Sequence, residues 1–251
     1  SGTFLQRDRA LDIGVIQSDS LQMDLEATRQ ELEKIRDKEE EIVQAEAAFI
    51  RENNVSLVIA DIPALAGKIA NTAGIQCWSI SNFGWDFIYR HWGEEFRDLA
   101  DWMSQGYQNS DRAFRLPMHE PMSAFPNITD MGLTGGVPKW TAEEIREQFN
   151  LTAPTEKNIL LSFGGLGLQK IPYHNLQQFP DWQFITFDQQ APDLPNLMRI
   201  SDHNYRPLDF MPVSGRVLSK PGYSTFSEAL RLNIPIISLS REQFAESSLL
   251  L

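Results

Sequence analysis

The sequence has 251 residues, of which 42% are hydrophobic and 22% are charged, proportions typical of a soluble globular protein with room for one large or two medium domains. Its formal net charge of −12 argues against a nucleic-acid partner, which would favour a basic face. No apolar run has the length of a membrane span, and the single cysteine, Cys77, excludes an intramolecular disulfide framework. We therefore expect a cytoplasmic protein in which Cys77 packs inertly in a buried strand.

The first part of the chain predicts helices between short strands. Residues 12–16 are a short apolar strand candidate, and residues 25–52 predict one long, heavily charged helix. Its apolar stripe consists of Leu25, Leu32, Ile35, Ile42, Phe49 and Ile50. The stretch 56–80 follows as strand, helix and strand, with Gly74 ending the helix. Asp61 stands at the end of the first strand, where it could cap the helix or serve as a catalytic carboxylate.

An aromatic loop with polar residues follows that second strand. The sequence NFGWDF begins at Asn82 and contains Trp85 and Asp86. Two interpretations stay open. The loop forms an acceptor pocket at the end of a strand, or its aromatic side chains belong to the hydrophobic core. His91 lies nearby, without metal-ligand spacing to the other histidines.

Proline and glycine mark residues 116–140 as the natural boundary between domains, with no sustained period. Thr141 then predicts a helix start, because Glu144 stands three residues later in a capping-box spacing. Residues 157–163 are a strand that runs into a glycine-rich turn, and residues 182–187 and 197–200 are further strands. The turn is either a tight structural turn or a loop around a phosphate, and its glycines are Gly164, Gly165 and Gly167.

Residues 216–240 are the most informative segment, because they predict a strand, a polar turn, a helix and a second buried strand. Ligands of open α/β sheets bind at the carboxyl ends of such strands, so we expect a phosphate-bearing ligand at this turn. Lys220 could meet a pyrophosphate there or be a solvated lysine. Glu228 could complete a capping box with Thr225 or accept hydrogen bonds from ribose hydroxyls.

The strand–helix–strand pattern of residues 56–80 recurs in residues 216–240. Two units of one design so far apart predict two similar α/β domains rather than one continuous sheet. We assign residues 1–138 to the first domain and residues 139–251 to the second.

These segments carry a family resemblance. SKPGYSTFSEALRLNIPIISLS, followed by EQFAES, resembles the donor-binding segment of GT-B glycosyltransferases, in the branch of the peptidoglycan N-acetylglucosaminyltransferase that makes lipid II. LVIADIPALAGKIANTAGIQCWSISNFGWDFIY is similar to uncharacterised bacterial glycosyltransferase-like proteins and to the N-terminal domain of plant L-arabinokinases. With LLSFGGLGL, the matching segments are spread across nearly the whole chain in the family's order.

The resemblance implies two Rossmann-like domains facing across a cleft, truncated here at both ends, and a hexosyltransferase that uses a UDP-sugar without a metal or other cofactor. By the same resemblance, Glu228 holds the ribose and Glu246 meets the donor sugar, while Asn82 and Trp85 lie on the acceptor side. The positions that match the diphosphate site are Lys220, Gly222, Tyr223, Ser224 and Thr225, and those that match the glycine loop at the cleft are Gly164, Gly165 and Gly167.

One departure from the family concerns the catalytic base. Relatives begin with a strand and a glycine-histidine loop that often supplies this base, and this sequence starts downstream of that loop. Asp61, Asp86 and His91 are the substitutes that the sequence offers. A non-catalytic module that binds nucleotide sugars and a nucleotide-sugar 2-epimerase are the alternative functions. The expected partners are a nucleotide sugar and an unknown acceptor, with contact to a membrane surface left open.

Overall fold

A computed structural model describes residues 4–18, 21–163 and 171–251. The chain forms two compact units, each with its own parallel sheet. The first unit contains residues 4–16 and 23–131, and the second contains residues 17–18, 21–22, 132–163 and 171–251. The predicted α/β fold with parallel sheets is therefore confirmed. Within the described ranges, no helix is both long and apolar enough to cross a membrane.

Two helices open the first unit, α1 (Leu25–Asp37) and α2 (Glu39–Glu52), where the sequence predicted one long helix. The break falls at Lys38, whose amide donates to Ile35 O at 3.1 Å and so tightens the last turn of α1. The predicted apolar stripe does form the buried side of both helices. Leu32, Ile35 and Ile50 of the stripe are buried, and Val43 and Ala47, which the prediction did not include, are buried with them.

The sheet of the first unit has the order β1-β2-β3-β4, with all neighbours parallel. Its strands are β1 (Leu57–Ala60), β2 (Gln76–Ser81), β3 (Arg112–Arg115) and β4 (Ile128–Asp130). The other helices of this unit are α3 (Leu65–Ala73), α4 (Trp85–His91) and α5 (Arg97–Tyr107), with a 3₁₀ turn at Glu94–Phe96. Gly74 ends α3 in the left-handed conformation, at φ 80°, as predicted. Cys77 is buried in β2 as predicted, and burial is the main cause that raises its pKa to about 11.

Two local predictions in the first unit are wrong. Residues 12–16 are not a strand, because side chains hold them instead: Tyr89 Oη donates to Gly14 O at 2.8 Å and the Ile16 amide donates to Thr28 Oγ1 at 3.0 Å. Asp61 does not cap α3, which begins at Leu65 with Ala64 as its N-cap. Within the predicted boundary segment 116–140, the structure adds the short strand β4.

The second unit is built on a five-stranded parallel sheet of order β7-β6-β5-β8-β9. The strands are β5 (Asn158–Ser162), β6 (Gln183–Thr186), β7 (Leu197–Arg199), β8 (Arg216–Ser219) and β9 (Ile236–Ser238). The helices are α6 (Ala142–Gln148), α7 (Pro207–Phe210), α8 (Tyr223–Arg231) and α9 (Ser247–Leu250), with 3₁₀ turns at Thr155–Lys157, Tyr173–Gln178 and Met211–Val213. The core between sheet and helices includes five residues with no exposed surface: Leu160, Ile185, Phe210, Val217 and Ala229.

The two predicted capping boxes of this unit have different outcomes. Thr141 caps α6, with its Oγ1 accepting from the Glu144 amide at 3.2 Å and the Glu144 carboxylate accepting from the Thr141 amide at 2.8 Å. The box of Thr225 and Glu228 does not form, because α8 begins at Tyr223 with Gly222 as its N-cap. The helix starts directly where β8 delivers the chain, so Thr225 already lies in its first turn.

Candidate functional site

The turn between β8 and α8 has the chemistry of an anion site. The Phe226 amide makes the first intrahelical bond, to Gly222 O at 3.2 Å, so the amides of Tyr223, Ser224 and Thr225 precede the hydrogen-bonded ladder. No side chain of the described residues caps this helix. A Cβ built on Gly222 would meet no described atom within 4 Å, so none of the described residues closes the space beside this glycine. Uncapped amides and the helix dipole together favour a negatively charged ligand.

The side chains of the first turn of α8 add hydroxyl groups to these amides. Ser224 is exposed and Thr225 is partly buried. The hydroxyl of Tyr223 is buried and has no hydrogen-bond partner in the part of the chain that the structure describes. Under the turn, Ser219 Oγ donates to Ser162 O at 2.8 Å and so fixes the carboxyl end of β8 to that of β5.

Glu228 lies on α8 beyond its first turn and is partly buried. Its Oε1 accepts a hydrogen bond from the Gly136 amide at 3.2 Å. Neighbouring side chains of α8 hold the same segment, because Arg231 Nη1 donates to Gly135 O at 2.7 Å and Ser227 Oγ donates to Thr134 O. We call residues 134–136 the glycine strap. The capping interpretation of Glu228 is therefore wrong, and its carboxylate contacts the strap instead.

Lys220 and Glu246 lie near a third charged residue, Arg241, that the sequence analysis missed. Burial is the main cause that lowers the pKa of Lys220; Arg241 lowers it further, and Glu246 acts in the opposite direction. Arg241 and Glu246 are each only 6% exposed. The signal that could have identified Arg241 is its place three residues after β9, at the same sheet edge as Lys220 after β8. The predicted glycine loop, Gly164, Gly165 and Gly167, lies outside the described residues.

The first unit places carboxylates at the carboxyl edge of its own sheet. Asp61 directly follows β1 and is exposed, and Asp86 lies in the first turn of α4, after β2. Burial is the main cause that raises the pKa of Asp86 to about 6, and the charge of Glu120 raises it further. The Oδ1 atom of Asp86 is buried, without a hydrogen-bond partner among the described atoms. A half-buried carboxyl with such a pKa has the properties of a general base.

Glu120 owes its position beside Asp86 to backbone hydrogen bonds. Its Oε1 accepts from the Gly84 amide at 3.2 Å and its Oε2 accepts from the Met122 amide at 2.6 Å, with only 6% of the residue exposed. Asp12 is a second carboxyl that the sequence analysis missed, having assigned it to a strand. Burial is the main cause that raises the pKa of Asp12 to about 6, and the charge of Asp61 adds to that effect.

The residues predicted for the acceptor side lie at the start of α4. Asn82 is 3% exposed, and its Nδ2 donates to Met118 O at 3.2 Å. Trp85 is partly buried and stacks on Tyr89 with ring centroids 5.6 Å apart. Its indole also adjoins Gly14, where a Cβ would stand 2.7 Å from Trp85 Cζ2. His91 is exposed in the last turn of α4, at the opposite end of that helix from Asp86.

Tyr107 links the loop that carries Asp61 to the start of α4, which carries Asp86. Its hydroxyl donates to Ile62 O at 3.0 Å and accepts from the Trp85 amide at 3.0 Å. Ile62 has φ 51°, a strained conformation for a β-branched residue, immediately after Asp61. The hydroxyl group of Tyr107 therefore contributes to the shape of both segments at this edge of the sheet.

We predict that Tyr107→Phe destabilises the protein by about 1–3 kcal/mol, because it leaves a buried amide and a buried carbonyl without their partner. The ring stays packed on Phe125, with centroids 4.3 Å apart, so the apolar core is unchanged. Equilibrium denaturation in urea measures the free energy of unfolding. A variant as stable as the parent would show that the hydroxyl contributes nothing to these segments.

Known proteins with a similar sequence or structure provide a test of the predicted fold. No protein-family model matches the chain. It is 28% identical to L-arabinokinase from Arabidopsis thaliana over 250 residues, which cover 96% of this chain and 24% of that protein. The structure of Arabidopsis thaliana UGT89C1 complexed with UDP matches with a TM-score of 0.60 at 12% identity, covering 95% of this chain and 67% of that one. The glycotransferase of kitacinnamycin matches with a TM-score of 0.58 at 16% identity, covering 90% of this chain and 68% of that one.

These likenesses confirm the predicted GT-B glycosyltransferase fold. The narrower resemblance to the lipid II branch stays a prediction. The chain spans about a quarter of the length of L-arabinokinase, so the activity of that whole protein does not pass to this one.

Proposed function

We propose that the protein binds a UDP-sugar through its second unit and transfers the sugar to an acceptor hydroxyl with inversion and without a metal. The observation that carries this proposal is the start of α8 after β8, which no described side chain caps, with no described atom over Gly222 and the Glu228 carboxylate farther along the same helix. The match to UGT89C1, which is complexed with UDP, supports the choice of ligand.

The diphosphate binds at the first turn of α8. Amides of Tyr223, Ser224 and Thr225 and the hydroxyls of the last two donate to its oxygens, and Lys220 adds a positive charge. Negative charge builds on the departing UDP as the glycosidic bond breaks. Donors fixed in advance at that position stabilise the charge without reorganisation, which is the role that a metal plays in other transferases.

Glu228 accepts hydrogen bonds from the ribose hydroxyls. One of its oxygens is engaged by the Gly136 amide, which orients the carboxylate and leaves its other oxygen to face the ribose. Glu246, buried near Lys220 and Arg241, is the candidate contact to the donor sugar. The preference for uracil comes from the family resemblance.

Asp86 removes the proton of the acceptor hydroxyl. It has a raised pKa, an unpartnered oxygen and a neighbouring carboxylate held by backbone amides. Asp61 and His91 are the alternative bases. Asn82 and Trp85 shape the start of α4 around Asp86 and so belong to the acceptor side in this proposal.

The test is a binding panel followed by a turnover assay. We predict that UDP and a UDP-sugar raise the melting temperature, since a ligand at a hundredfold excess over its Kd stabilises the folded state by about 2.7 kcal/mol. GDP and TDP should have smaller effects. Sugar transfer or UDP release then shows a transferase, whereas an epimerised nucleotide sugar without acceptor shows an epimerase. Binding without turnover shows a binding module, and no response to any nucleotide contradicts the proposal.

A further inference from the structure

Arg241 is a buried cation, one edge of which faces no hydrogen-bond acceptor among the described residues. The residue is 6% exposed and follows β9 at the carboxyl edge of the second sheet. Its Nε and Nη2 atoms are both buried, and neither has a hydrogen-bond partner among the residues that the structure describes. The guanidinium lies over the ring of Phe244, with Cζ 4.0 Å from the centroid. The ring covers one flat side of the guanidinium and satisfies neither N–H.

Among the described residues, the charges that act on Arg241 and Lys220 are these two cations and one carboxylate. Lys220 is close enough for the charge of Arg241 to lower its pKa, and Glu246 is the carboxylate that offsets part of this repulsion for both residues. Two cations therefore share one carboxylate in a largely buried place. Such an arrangement destabilises the folded protein unless an anion binds, because a buried charge that lacks hydrogen bonds loses its hydration without compensation.

The geometry of the side chain indicates what would compensate it. Nε and Nη2 form one edge of the planar guanidinium, and two parallel N–H groups on one edge match the two oxygens of a carboxylate or phosphate. The diphosphate site described above already has donors, in the amides of α8 and in Lys220. Arg241 stands after the neighbouring strand β9 and is available for a further oxyanion.

We propose that the Nε–Nη2 edge of Arg241, beside Lys220, is a binding site for an oxyanion of the ligand. Its assignment to a nucleotide sugar rests on the proposed function, and the oxyanion is then either the carboxylate of a uronic acid donor or a phosphate oxygen of the diphosphate itself. The carboxylate is the source that we expect, because the diphosphate has its own donors.

The experiment compares the parent with Arg241→Gln in calorimetric titrations with UDP, UDP-glucose and UDP-glucuronate. We expect the variant to lose at least about tenfold in affinity for UDP-glucuronate and to keep its affinity for the other two, since charge-assisted hydrogen bonds of this kind contribute about 1.5–3 kcal/mol. An equal loss for all three ligands also supports the oxyanion site and identifies the diphosphate as its source. Unchanged affinities for all three would overturn it.

Two further variants separate this role from a structural one. Arg231→Gln changes the net charge of the same unit by the same amount at an exposed position, and should leave the preference between the three ligands unchanged. Arg241→Lys keeps the charge but lacks the planar edge, so it should recover only part of the affinity. Without ligand, Arg241→Gln should melt at or above the temperature of the parent, because it removes an uncompensated buried charge; a strong loss of stability would instead show that Arg241 holds the fold.

Failure of the proposed function gives a different result. If the parent binds no nucleotide, the melting temperatures of parent and Arg241→Gln are compared in sodium glucuronate and in inorganic pyrophosphate. A rise in the parent that the variant lacks supports the oxyanion site on its own. No rise in the parent, or the same rise in both proteins, overturns it.

Discussion

Glu228→Ala should lower the affinity for UDP by about tenfold to a hundredfold while the fold stays intact. The proposed hydrogen bonds run from ribose hydroxyls to an ionised carboxylate, and such bonds contribute about 1.5–3 kcal/mol. Glu228→Gln keeps the size of the side chain and an oxygen that can accept from the Gly136 amide, so it should lose less affinity. Calorimetric titration with UDP measures both variants, and circular dichroism checks the fold.

The control for this prediction is Arg231→Ala, because Glu228 also holds the glycine strap. Arg231 donates to Gly135 O at 2.7 Å and to Gly136 O at 3.0 Å, so its loss loosens the strap and leaves the Glu228 carboxylate in place. We expect UDP affinity to stay within about threefold of the parent in this control, a change of less than about 1 kcal/mol. If Arg231→Ala loses as much affinity as Glu228→Ala, the strap and not the ribose explains the effect.

Asp86→Asn should reduce the rate of sugar transfer by about a hundredfold or more, since a positioned general base contributes about 10²–10⁴ to a rate. Because the base must be ionised, the rate of the parent should rise with pH through about 6, the pKa of Asp86, and then level off. The variant should lose this step. UDP release from the donor, with an acceptor hydroxyl or with water, measures both, and a parent profile without a step near this pH would contradict the assignment.

The same substitution has a predicted effect on stability. The pKa of Asp86 is about 6 in the folded protein and 3.8 for an unperturbed side chain, so the folded state binds the proton more tightly. The stability that this tighter proton binding provides is fully present below pH 3.8 and is lost as the pH rises through about 6. Relative to the parent, Asp86→Asn should therefore gain up to about 3 kcal/mol between pH 4 and pH 8. Urea denaturation at the two pH values measures the gain.

Asp12→Asn is the matched control for Asp86→Asn. The pKa of Asp12 is also about 6, for the same main reason of burial, and Asp12 lies in the same unit. The control should repeat the change in stability with pH and keep the rate of transfer. A large loss of rate in Asp12→Asn would show that the buried carboxyls act together, and would remove the special role of Asp86.

The sequence by itself determined the two α/β units. The strand–helix–strand patterns of residues 56–80 and 216–240 appear as β1-α3-β2 and β8-α8-β9, and both pairs of strands are parallel neighbours. Gly74 and Thr141 act as predicted, because a left-handed stop and a capping box involve only residues that are close in the chain.

Only the tertiary structure decided where α3 and α8 begin and which charges are buried. Asp61 and Thr225 have good capping spacing, but α3 begins after Ala64 and α8 begins after Gly222. The position of Arg241 after β9 indicated at most a place at the sheet edge, and neither its burial nor the raised pKa of Asp12 could be inferred from the sequence, because both depend on how the folded unit packs around the charge. Local spacing sets which hydrogen bonds are available to the backbone, whereas desolvation depends on what the whole unit packs around each charge.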